Sequence, residues 1–271
     1  MRILQLGPRC NNACIFCANA LDRTAPAVAT REWMERLAAL VPTEELGVMG
    51  GEPTLREDLF DIVRHAKRLG VGRIVLRTNA RRFTYVSYAQ QLASAGVSGL
   101  DVGLYGSSPA MHDYHTDVPG SFLQTLRGIK HATAVGMNVI TTCVVTRSNY
   151  RHLVDIARLA GSLGAQGVRF RAPEVIGRAA ATRSRIVAPP ELAMVHLRRV
   201  RAQAQRSGLD VSIDRALTVA VDGSSGVQAV DMDRTAKAWP ARQEQRSRER
   251  RSGDELRDIL PSLFDSSEDE S

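Results

Sequence analysis

Apolar positions along this chain follow two alternating patterns. Short, nearly continuous apolar runs predict strands that are covered on both faces, and Val139–Thr146 is the clearest of them. Between these runs, apolar residues recur every three or four positions, as in Leu59–Leu69, which predicts helices with one buried side. Gly70 follows that helix, and a glycine at this position commonly ends one. The alternation of strand, helix and glycine favours an α/β protein with a parallel sheet.

The alternation also gives bounds for the predicted elements. The predicted strands are Arg2–Leu6, Leu46–Met49, Arg73–Thr78, Gly99–Leu104, Val139–Thr146, Gly167–Ala172 and, last, Leu209–Ile213. The predicted helices are Thr30–Leu40, Leu59–Leu69, Tyr85–Ala95, Phe122–Val135, Tyr150–Leu163 and Pro190–Ser207. Thr30 is expected to cap the first helix. Six consecutive strand–helix units predict right-handed crossovers between neighbouring parallel strands.

The pattern weakens after Asp214. We therefore divide the chain into a core at 1–214, a short extension at 215–235 and a charged tail at 236–271. Within this region, Leu217–Val221 is predicted as one more strand. The tail mixes charges of both signs and ends in a serine-rich acidic stretch, a composition typical of disordered segments.

Composition narrows the functional classes. With 271 residues and 44% hydrophobic content, the chain can form one sizeable core and an appendage. Much of the net charge of +7 comes from arginines scattered on predicted helix faces, such as Arg198 and Arg201. Aromatic residues make up only 5%, so base-stacking platforms and nucleic-acid binding are not expected. Because the chain has neither a long apolar stretch nor a signal-peptide core, we expect a cytoplasmic protein without membrane contact.

Three clustered cysteines carry the strongest chemical signal. Cys10, Cys14 and Cys17 have the spacing C-x3-C-x2-C. A [4Fe–4S] cluster normally takes four cysteine ligands, so three would leave one iron with an open position. A structural zinc site is an alternative, with Cys143 or a histidine as the fourth ligand, but no nearby pair completes a zinc-finger pattern. A disulfide would leave one odd thiol and would suit an oxidising compartment.

A second motif lies downstream of the cysteines. Gly50-Gly51-Glu52-Pro53 follows a short predicted strand, and its glycines allow backbone to approach a ligand closely. In this order and at this distance, the two motifs resemble the radical S-adenosylmethionine (radical SAM) enzyme family. The resemblance covers roughly residues 2–180 and includes Thr78-Asn79, Leu104-Tyr105-Gly106, His112-Asp113, 119–122 and Asn149. It implies a partial (β/α)6 TIM-like barrel with a C-terminal extension.

The resemblance also implies cofactors and the residues that hold them. Cys10, Cys14 and Cys17 would bind a [4Fe–4S] cluster, and S-adenosylmethionine would bind its open iron. The positions that match the family's cosubstrate site are Phe16 beside the adenine, Gly50, Gly51, Glu52, Pro53, Thr78, Asn79, Gly103, Thr142 and Arg171.

Two of these positions leave alternatives open. Gly103 stands where many relatives carry a serine that bonds the ribose, so that contact would come from Thr142, Asn79 or backbone. Arg171 would pair with the methionine carboxylate, and an exposed arginine at a loop edge is the alternative.

The backbone around the two motifs gives two further expectations. The amides of Asn11 and Asn12 could donate hydrogen bonds to cluster sulfurs, which would tune the cluster's potential. A valine at Gly51 should block the cosubstrate by steric contact and leave the cluster loaded, because no ligand changes.

Other chemistry-bearing residues fit more than one interpretation. His112, Asp113, His115 and Asp117 lie in the predicted loop after the fourth strand, where they would bind a second metal or form a substrate-side loop. Cys143 lies in an apolar strand and is expected to be a small core residue, with hydrogen-atom donation or cluster ligation as alternatives. Since residues 144–271 contain no cysteine, we expect no cysteine-rich auxiliary-cluster domain.

The implied activity is reductive cleavage of S-adenosylmethionine and abstraction of a substrate hydrogen atom by the 5′-deoxyadenosyl radical. The resemblance is greatest to molybdenum-cofactor cyclases and peptide maturases, which implies a peptide or natural-product substrate and an electron donor such as flavodoxin or ferredoxin. Because the chain opens at its first strand, a peptide would need a separate recognition protein or the C-terminal extension. The alternative is a non-catalytic iron–sulfur or zinc protein that binds nucleic acid through a basic tail.

Overall fold

A computed structural model describes residues 1–18 and 29–218. At its centre is a seven-stranded parallel sheet in which the strands lie in chain order. The strands are β1 (Arg2–Gln5), β2 (Glu45–Met49), β3 (Arg73–Thr78), β4 (Gly99–Gly103), β5 (Asn138–Val144), β6 (Gly167–Arg171) and β7 (Asp210–Ile213). The helices are α1 (Thr30–Leu40), α2 (Leu59–Arg68), α3 (Val86–Ala95), α4 (Pro109–Thr116), α5 (Ser121–Ala134), α6 (Leu153–Ser162), α7 (Arg178–Ala181), α8 (Arg183–Ile186), α9 (Pro190–Ser207) and α10 (Arg215–Thr218). This sheet with helical crossovers is the expected partial TIM-like barrel.

The two faces of the central strands have different surroundings. Leu100 and Val102 of β4 are fully buried and belong to the hydrophobic core. Successive side chains of a strand point to opposite faces, so Asp101 and Gly103 lie on the other, concave face. The register places Thr142 of β5 beside Gly103, and Arg169 of β6 beside Thr142. The polar residues of neighbouring strands therefore meet inside the partial barrel.

The region after the fourth strand differs from the expectation. Residues that were predicted to form a loop there form α4, which begins at Pro109. The Ser108 side chain accepts a hydrogen bond from Met111 N at 3.4 Å and caps this helix. Serine at the N-cap and proline at the first position are strong helix-start signals, which outweigh the polar character of the segment.

Other expectations change at the ends of elements. Thr30 does not cap α1, since Ala29 occupies the N-cap and no side-chain cap forms there. The predicted strand Leu217–Val221 is wrong at its described end, because Arg215–Thr218 is helical. The last predicted strand is confirmed as β7, which adds a seventh strand to the six units. The predicted tail and most of the extension lie outside the described residues. Among the residues that are described, no helix has the length and hydropathy to cross a membrane.

Candidate active site

The three cysteines lie on the loop that follows β1, and the end of α4 holds this loop. Ala13 N donates a hydrogen bond to Thr116 O at 2.8 Å. Two residues further on, Ile15 N donates to His115 O at 3.0 Å. The unpaired carbonyls at the C-terminus of a helix are natural acceptors for such amides. The cysteine loop is therefore docked on a helix end that sequence analysis did not predict.

Two arginines hold the same loop from other sides, and sequence analysis singled out neither. Arg81 Nη1 donates to Asn11 O at 2.7 Å and to Asn12 Oδ1 at 2.9 Å. The Arg178 side chain donates to Ala13 O, which lies 165 positions earlier in the chain. No local pattern can reveal contacts between such distant residues. Three elements thus fix the backbone that carries the cysteines.

The thiols have the surroundings expected of ligands to a cluster. Asn12 N donates to Cys10 Sγ at 3.4 Å, in agreement with the expectation for this backbone. Burial, together with nearby Cys10 and Cys17, raises the pKa of Cys14 to about 12, so a bound metal centre would be needed to hold Cys14 as a thiolate.

The three thiols do not form a single-ion site in the structure. Among residues 1–18 and 29–218, no three His, Cys, Asp or Glu side chains converge on one ion position. Zinc draws its ligands to one point, whereas a [4Fe–4S] cluster gives each cysteine its own iron. The described residues thus offer no zinc site at these cysteines, and three thiols are the number of ligands that the cluster would take from the chain.

The Gly50-Gly51 pair packs against the backbone that leads into the cysteines. Gly51 has a φ of +54°, and a Cβ added there would lie 2.0 Å from Arg9 O. Next to it, Glu52 N donates to the same Arg9 oxygen at 2.7 Å. Because Arg9 directly precedes Cys10, a side chain at Gly51 would displace the cysteine loop. The expectation that valine at Gly51 leaves the cluster loaded does not follow from this geometry.

The carboxylate of Glu52 is occupied by protein donors. Its Oε1 accepts from Thr54 N at 3.1 Å, Thr54 Oγ1 at 2.7 Å and Thr78 Oγ1 at 2.6 Å. Its Oε2 accepts from Asn79 N at 2.6 Å. Burial raises the pKa of Glu52, and the hydrogen bonds from these residues oppose that rise. Glu52 and the following Pro53, which starts a 3₁₀ turn, join the end of β2 to the end of β3.

The two side chains expected to contact a ribose already have protein partners. Asn79 Nδ2 donates to Asn11 Oδ1 at 2.6 Å, and Arg81 N donates to Asn79 Oδ1 at 3.0 Å. Thr142 Oγ1 donates to Asp101 Oδ1 at 2.5 Å. Both residues lie at the carboxyl ends of strands, where barrels of this type bind ligands. Their side chains brace neighbouring groups in the structure.

Gly103 makes room for Tyr105. A Cβ added at Gly103 would lie 2.2 Å from the Tyr105 hydroxyl oxygen. Burial and the neighbouring Cys14 and Cys10 keep the pKa of Tyr105 well above its ordinary value. The phenol hydroxyl thus lies between the strand and the cysteine loop, at the position that a side chain on residue 103 would occupy. Sequence analysis did not assign Tyr105 to the site. The signal that could have found it is Gly103, which lacks the expected serine side chain and so leaves space for another group.

Phe16 is buried between the last two cysteines and the segment after β6. It packs with Ala179 and Ile186 in one apolar cluster. Its ring meets the Tyr105 ring edge to face at a centroid distance of 4.8 Å. Packing explains its burial, and contact with an adenine stays a prediction.

Charged residues meet on the concave face of the sheet. Asp101 Oδ2 accepts from Arg77 Nη2 at 3.1 Å and from Arg169 Nη1 at 2.9 Å. Burial alone would raise the pKa of Asp101, but the two guanidinium groups, with the Thr142 hydrogen bond, hold it below its ordinary value. The Arg171 side chain is only 14% exposed and contacts Glu174 at 3.3 Å, so it is not a free arginine at a loop edge.

The histidines and aspartates of α4 stabilise the fold. His115 is within hydrogen-bond distance of Met111 O at 2.6 Å and of Thr146 Oγ1 at 2.7 Å, which uses both ring nitrogens. Asp113 accepts hydrogen bonds from the start of α5. Burial lowers the pKa of His112 to about 3, so its ring is neutral. Since no three His, Cys, Asp or Glu side chains among the described residues could hold one metal ion together, the interpretation of His112, Asp113, His115 and Asp117 as a second-metal site is wrong.

Cys143 is fully buried, as expected for a core residue. Asn149 Nδ2 lies 3.6 Å from its Sγ and donates to Tyr105 O at 3.0 Å and to Val144 O at 2.9 Å. Asn149 therefore joins the carboxyl ends of β4 and β5, and Cys143 packs beneath that junction.

Curated proteins similar to this chain are radical SAM enzymes of several kinds. The AdoMet-dependent heme synthase of Oleidesulfovibrio alaskensis is 32% identical over 187 residues, which cover 67% of this chain and 47% of that protein. The PqqA peptide cyclase of Rhodopseudomonas palustris is 28% identical over 76% of this chain and 55% of its own length. The chain spans about half the length of the curated relatives it matches.

Solved structures agree on the fold. Streptococcus suis SuiB, bound to its precursor peptide SuiA, superposes with a TM-score of 0.63 over 78% of this chain and 48% of SuiB, at 16% sequence identity. The sequence profile of the Radical SAM superfamily matches residues 4–160, which include the cysteine loop, the Gly-Gly-Glu-Pro turn and strands β2 to β5. Members of this superfamily use a [4Fe–4S] cluster and S-adenosylmethionine. The chain belongs to the radical SAM superfamily.

Proposed function

We propose that this chain is a radical SAM enzyme that binds its [4Fe–4S] cluster through Cys10, Cys14 and Cys17 and binds S-adenosylmethionine at the remaining iron. The observation that carries the proposal is the cysteine loop. It is held by the end of α4, by Arg81 and by Arg178, while its thiols do not converge on one ion. Such a loop offers three separate ligands on a fixed backbone.

The bound cofactors supply the radical chemistry, and the chain supplies position and shielding. When bound, the reduced cluster and S-adenosylmethionine would together supply the radical chemistry: one electron cleaves the S–C5′ bond to give methionine and a 5′-deoxyadenosyl radical, which would become 5′-deoxyadenosine by taking a hydrogen atom from the substrate. Glu52 fixes the turn after β2 against the end of β3, beside the cysteine loop. Phe16 and Tyr105 pack around Cys14 and exclude water from that side.

The surroundings of the cysteine loop support a set of proposed cosubstrate contacts. Gly50, Gly51 and Pro53 shape the turn that faces the methionine amino group, whereas Thr78 acts through Glu52. The Tyr105 hydroxyl supplies the polar contact that Gly103 cannot make. Arg171 on the concave face offers a guanidinium fork, which suits the methionine carboxylate.

The substrate and the electron donor are proposed from the relatives. SuiB binds a precursor peptide, and one curated relative is a peptide cyclase, which supports a peptide or natural-product substrate. A flavodoxin or ferredoxin would supply the electron.

Anaerobic reconstitution tests the proposal. The purified chain, loaded with iron and sulfide and reduced with dithionite, should form 5′-deoxyadenosine from S-adenosylmethionine, as measured by mass spectrometry. Alanine at Cys10, Cys14 or Cys17 should each abolish the broad visible absorbance of the cluster and this product. Alanine at Cys143 is the matched control and should keep the cluster absorbance. A colourless protein that binds zinc, or loss of the cluster in the Cys143 variant, would contradict the proposal.

A further inference from the structure

The concave face of the sheet carries a charged group that the radical chemistry does not use. Arg77 of β3 pairs in register with Asp101 of β4, and Arg169 of β6 reaches the same carboxylate across Thr142. The Arg77 and Arg169 side chains are 32% and 21% exposed, whereas neighbouring Leu76 is fully buried. Because strand side chains alternate, the charged face is the one that is open to a ligand.

The two guanidinium groups share one oxygen atom. Arg77 Nη2 and Arg169 Nη1 both donate to Asp101 Oδ2, while Thr142 occupies Oδ1. One carboxylate therefore faces two full positive charges. Within residues 1–18 and 29–218, Arg77 Nη1 and Arg169 Nη2 have no acceptor at hydrogen-bond distance. These donors are available to a ligand, and arginine donors are best satisfied by anionic oxygens.

A third guanidinium, that of Arg171, lies on this face and is the one proposed above to pair with the methionine carboxylate. Arg171 follows Arg169 by two positions on the same strand, so it lies on the same face. Its ion-pair partner Glu174 is about half exposed and is therefore well screened by water. Burial, and then the nearby charge of Arg77, lower the pKa of Arg171, while Glu174, Asp214 and Asp101 oppose that shift.

We infer that Arg77 and Arg169, held apart by Asp101, bind an anionic oxygen group of the substrate, either a carboxylate or a phosphate. Asp101 fixes the two guanidinium groups in position without neutralising both. One carboxylate balances only one of the two guanidinium charges, and an incoming anion would balance the second. The inference rests on the proposed function only in identifying the ligand as the substrate.

Calorimetry on the reconstituted holoprotein tests the inference with inorganic phosphate and with glutarate, each at an ionic strength held constant with chloride. At least one anion should bind saturably, and glutamine at Arg77 or at Arg169 should weaken that binding by about tenfold or more. Arg201, an exposed arginine of α9, is the matched control, and its glutamine variant should bind as the parent does. Tighter phosphate binding would point to a phosphorylated substrate, and tighter glutarate binding to a carboxylate.

The inference is overturned if neither anion binds above the chloride background, or if the Arg201 variant weakens binding as much as the others. Circular dichroism and cluster absorbance report whether each variant is folded. Should Arg169→Gln fail to fold, Arg169→Lys keeps the charge but loses the fork, and intermediate anion affinity is expected. Formation of 5′-deoxyadenosine by the same preparation separates the two proposals. Its absence alongside intact anion binding rejects the proposed function, whereas the reverse result rejects only the anion site.

Discussion

Two carboxylates, Glu52 and Asp101, lie buried in the same partial barrel, with only 2% and 7% of their surfaces exposed. Glu52 accepts four hydrogen bonds, all from neutral hydroxyl or backbone donors. Asp101 accepts from two guanidinium groups and one hydroxyl. Their pKa values consequently move in opposite directions, since burial raises that of Glu52 while Arg77 and Arg169 hold that of Asp101 down.

The difference shows two uses of a buried acid. Neutral donors fill the hydrogen-bonding positions of the Glu52 carboxylate but do not balance its negative charge. The cost of burying Glu52 is offset by the hydrogen bonds through which it joins the turn after β2 to the end of β3. Glu52 therefore belongs to the frame that carries the cysteine loop. Asp101 has its charge satisfied, and it leaves net positive charge on the concave face where a ligand would bind. Glu52 is thus a shape-setting carboxylate, which holds the backbone beside the cysteine loop in place. Asp101 is a charge-setting carboxylate, which determines the net charge of the concave face.

The largest loss of stability is expected when Glu52, which supports the cysteine loop, is replaced. Glu52→Ala leaves the donors of Thr54, Thr78 and Asn79 buried without their acceptor, which should lower the free energy of unfolding by about 3–5 kcal/mol. Urea unfolding followed by circular dichroism measures this loss. Glu191→Ala, at an exposed position on α9, should change stability by no more than about 0.5 kcal/mol. Equal losses of unfolding free energy in the two variants would show that the hydrogen bonds of Glu52 do not stabilise the junction between β2 and β3.

A pair of glycines tests the same frame through sterics. Gly51 and Gly70 both have positive φ, but a Cβ at Gly51 meets Arg9 O at 2.0 Å, whereas a Cβ at Gly70 has no atom of the described residues within 4 Å. Gly70→Ala should cost only the backbone strain of about 1–2 kcal/mol. Gly51→Ala should cost about 1–2 kcal/mol more and should also reduce cluster loading, as read from visible absorbance, because the cysteine loop must shift. Full cluster loading in Gly51→Ala would show that the close packing of Gly51 against Arg9 is not needed for cluster binding.

The sequence was sufficient for the sheet and for both recognised motifs, because each rests on local spacing. Strands β1 to β7 follow from apolar runs, and the cysteines lie within eight positions of one another. The supports of the site are not local. Arg178 reaches Ala13 across 165 positions, and nothing in its neighbourhood marks it. Tyr105 was within reach of sequence reasoning, since Gly103 lacks the expected side chain only two residues away.

Asp101→Asn tests the charged side of the comparison. The variant leaves Arg77 and Arg169 without their counter-charge, but both are partly hydrated, so we expect a loss of about 2–3 kcal/mol at neutral pH, below the cost of breaking a fully buried pair. Chemical denaturation at pH 7 measures the loss. An Asp101→Asn protein as stable as its parent would show that the arginines do not depend on this carboxylate.

The pH dependence should distinguish the two acids by sign. The pKa of Asp101 lies below its ordinary value of 3.8, so its stabilisation is fully present above that pH and is lost as pH falls through the lower folded value. Asp101→Asn should therefore flatten the acid side of the stability profile. The pKa of Glu52 lies above its ordinary value of 4.5, so its contribution worsens as pH rises through that window. Unfolding free energies between about pH 3 and 6 would show whether the Glu52→Gln profile changes in the opposite sense.

The smallest expected effect comes from a matched pair of threonines, one at each carboxylate. Thr78 Oγ1 donates to Glu52 Oε1 and also accepts from Ala80 N at 3.0 Å, whereas Thr142 Oγ1, within the described ranges, has the single partner Asp101. Valine has nearly the same shape as threonine, so each substitution removes hydrogen bonds with little change in packing.

Thr78→Val should cost about 2 kcal/mol, because no cation among the described residues pairs with Glu52 to replace the lost donor and the Ala80 amide loses its acceptor. Thr142→Val should cost about 1 kcal/mol or less, because Arg77 and Arg169 still hold the Asp101 charge. Thermal and urea unfolding of the two variants, compared at the same pH, measure the difference directly. If Thr142→Val were the more damaging of the two, the arginines would not be the main support of Asp101, and the contrast between a shape-setting and a charge-setting carboxylate would fail.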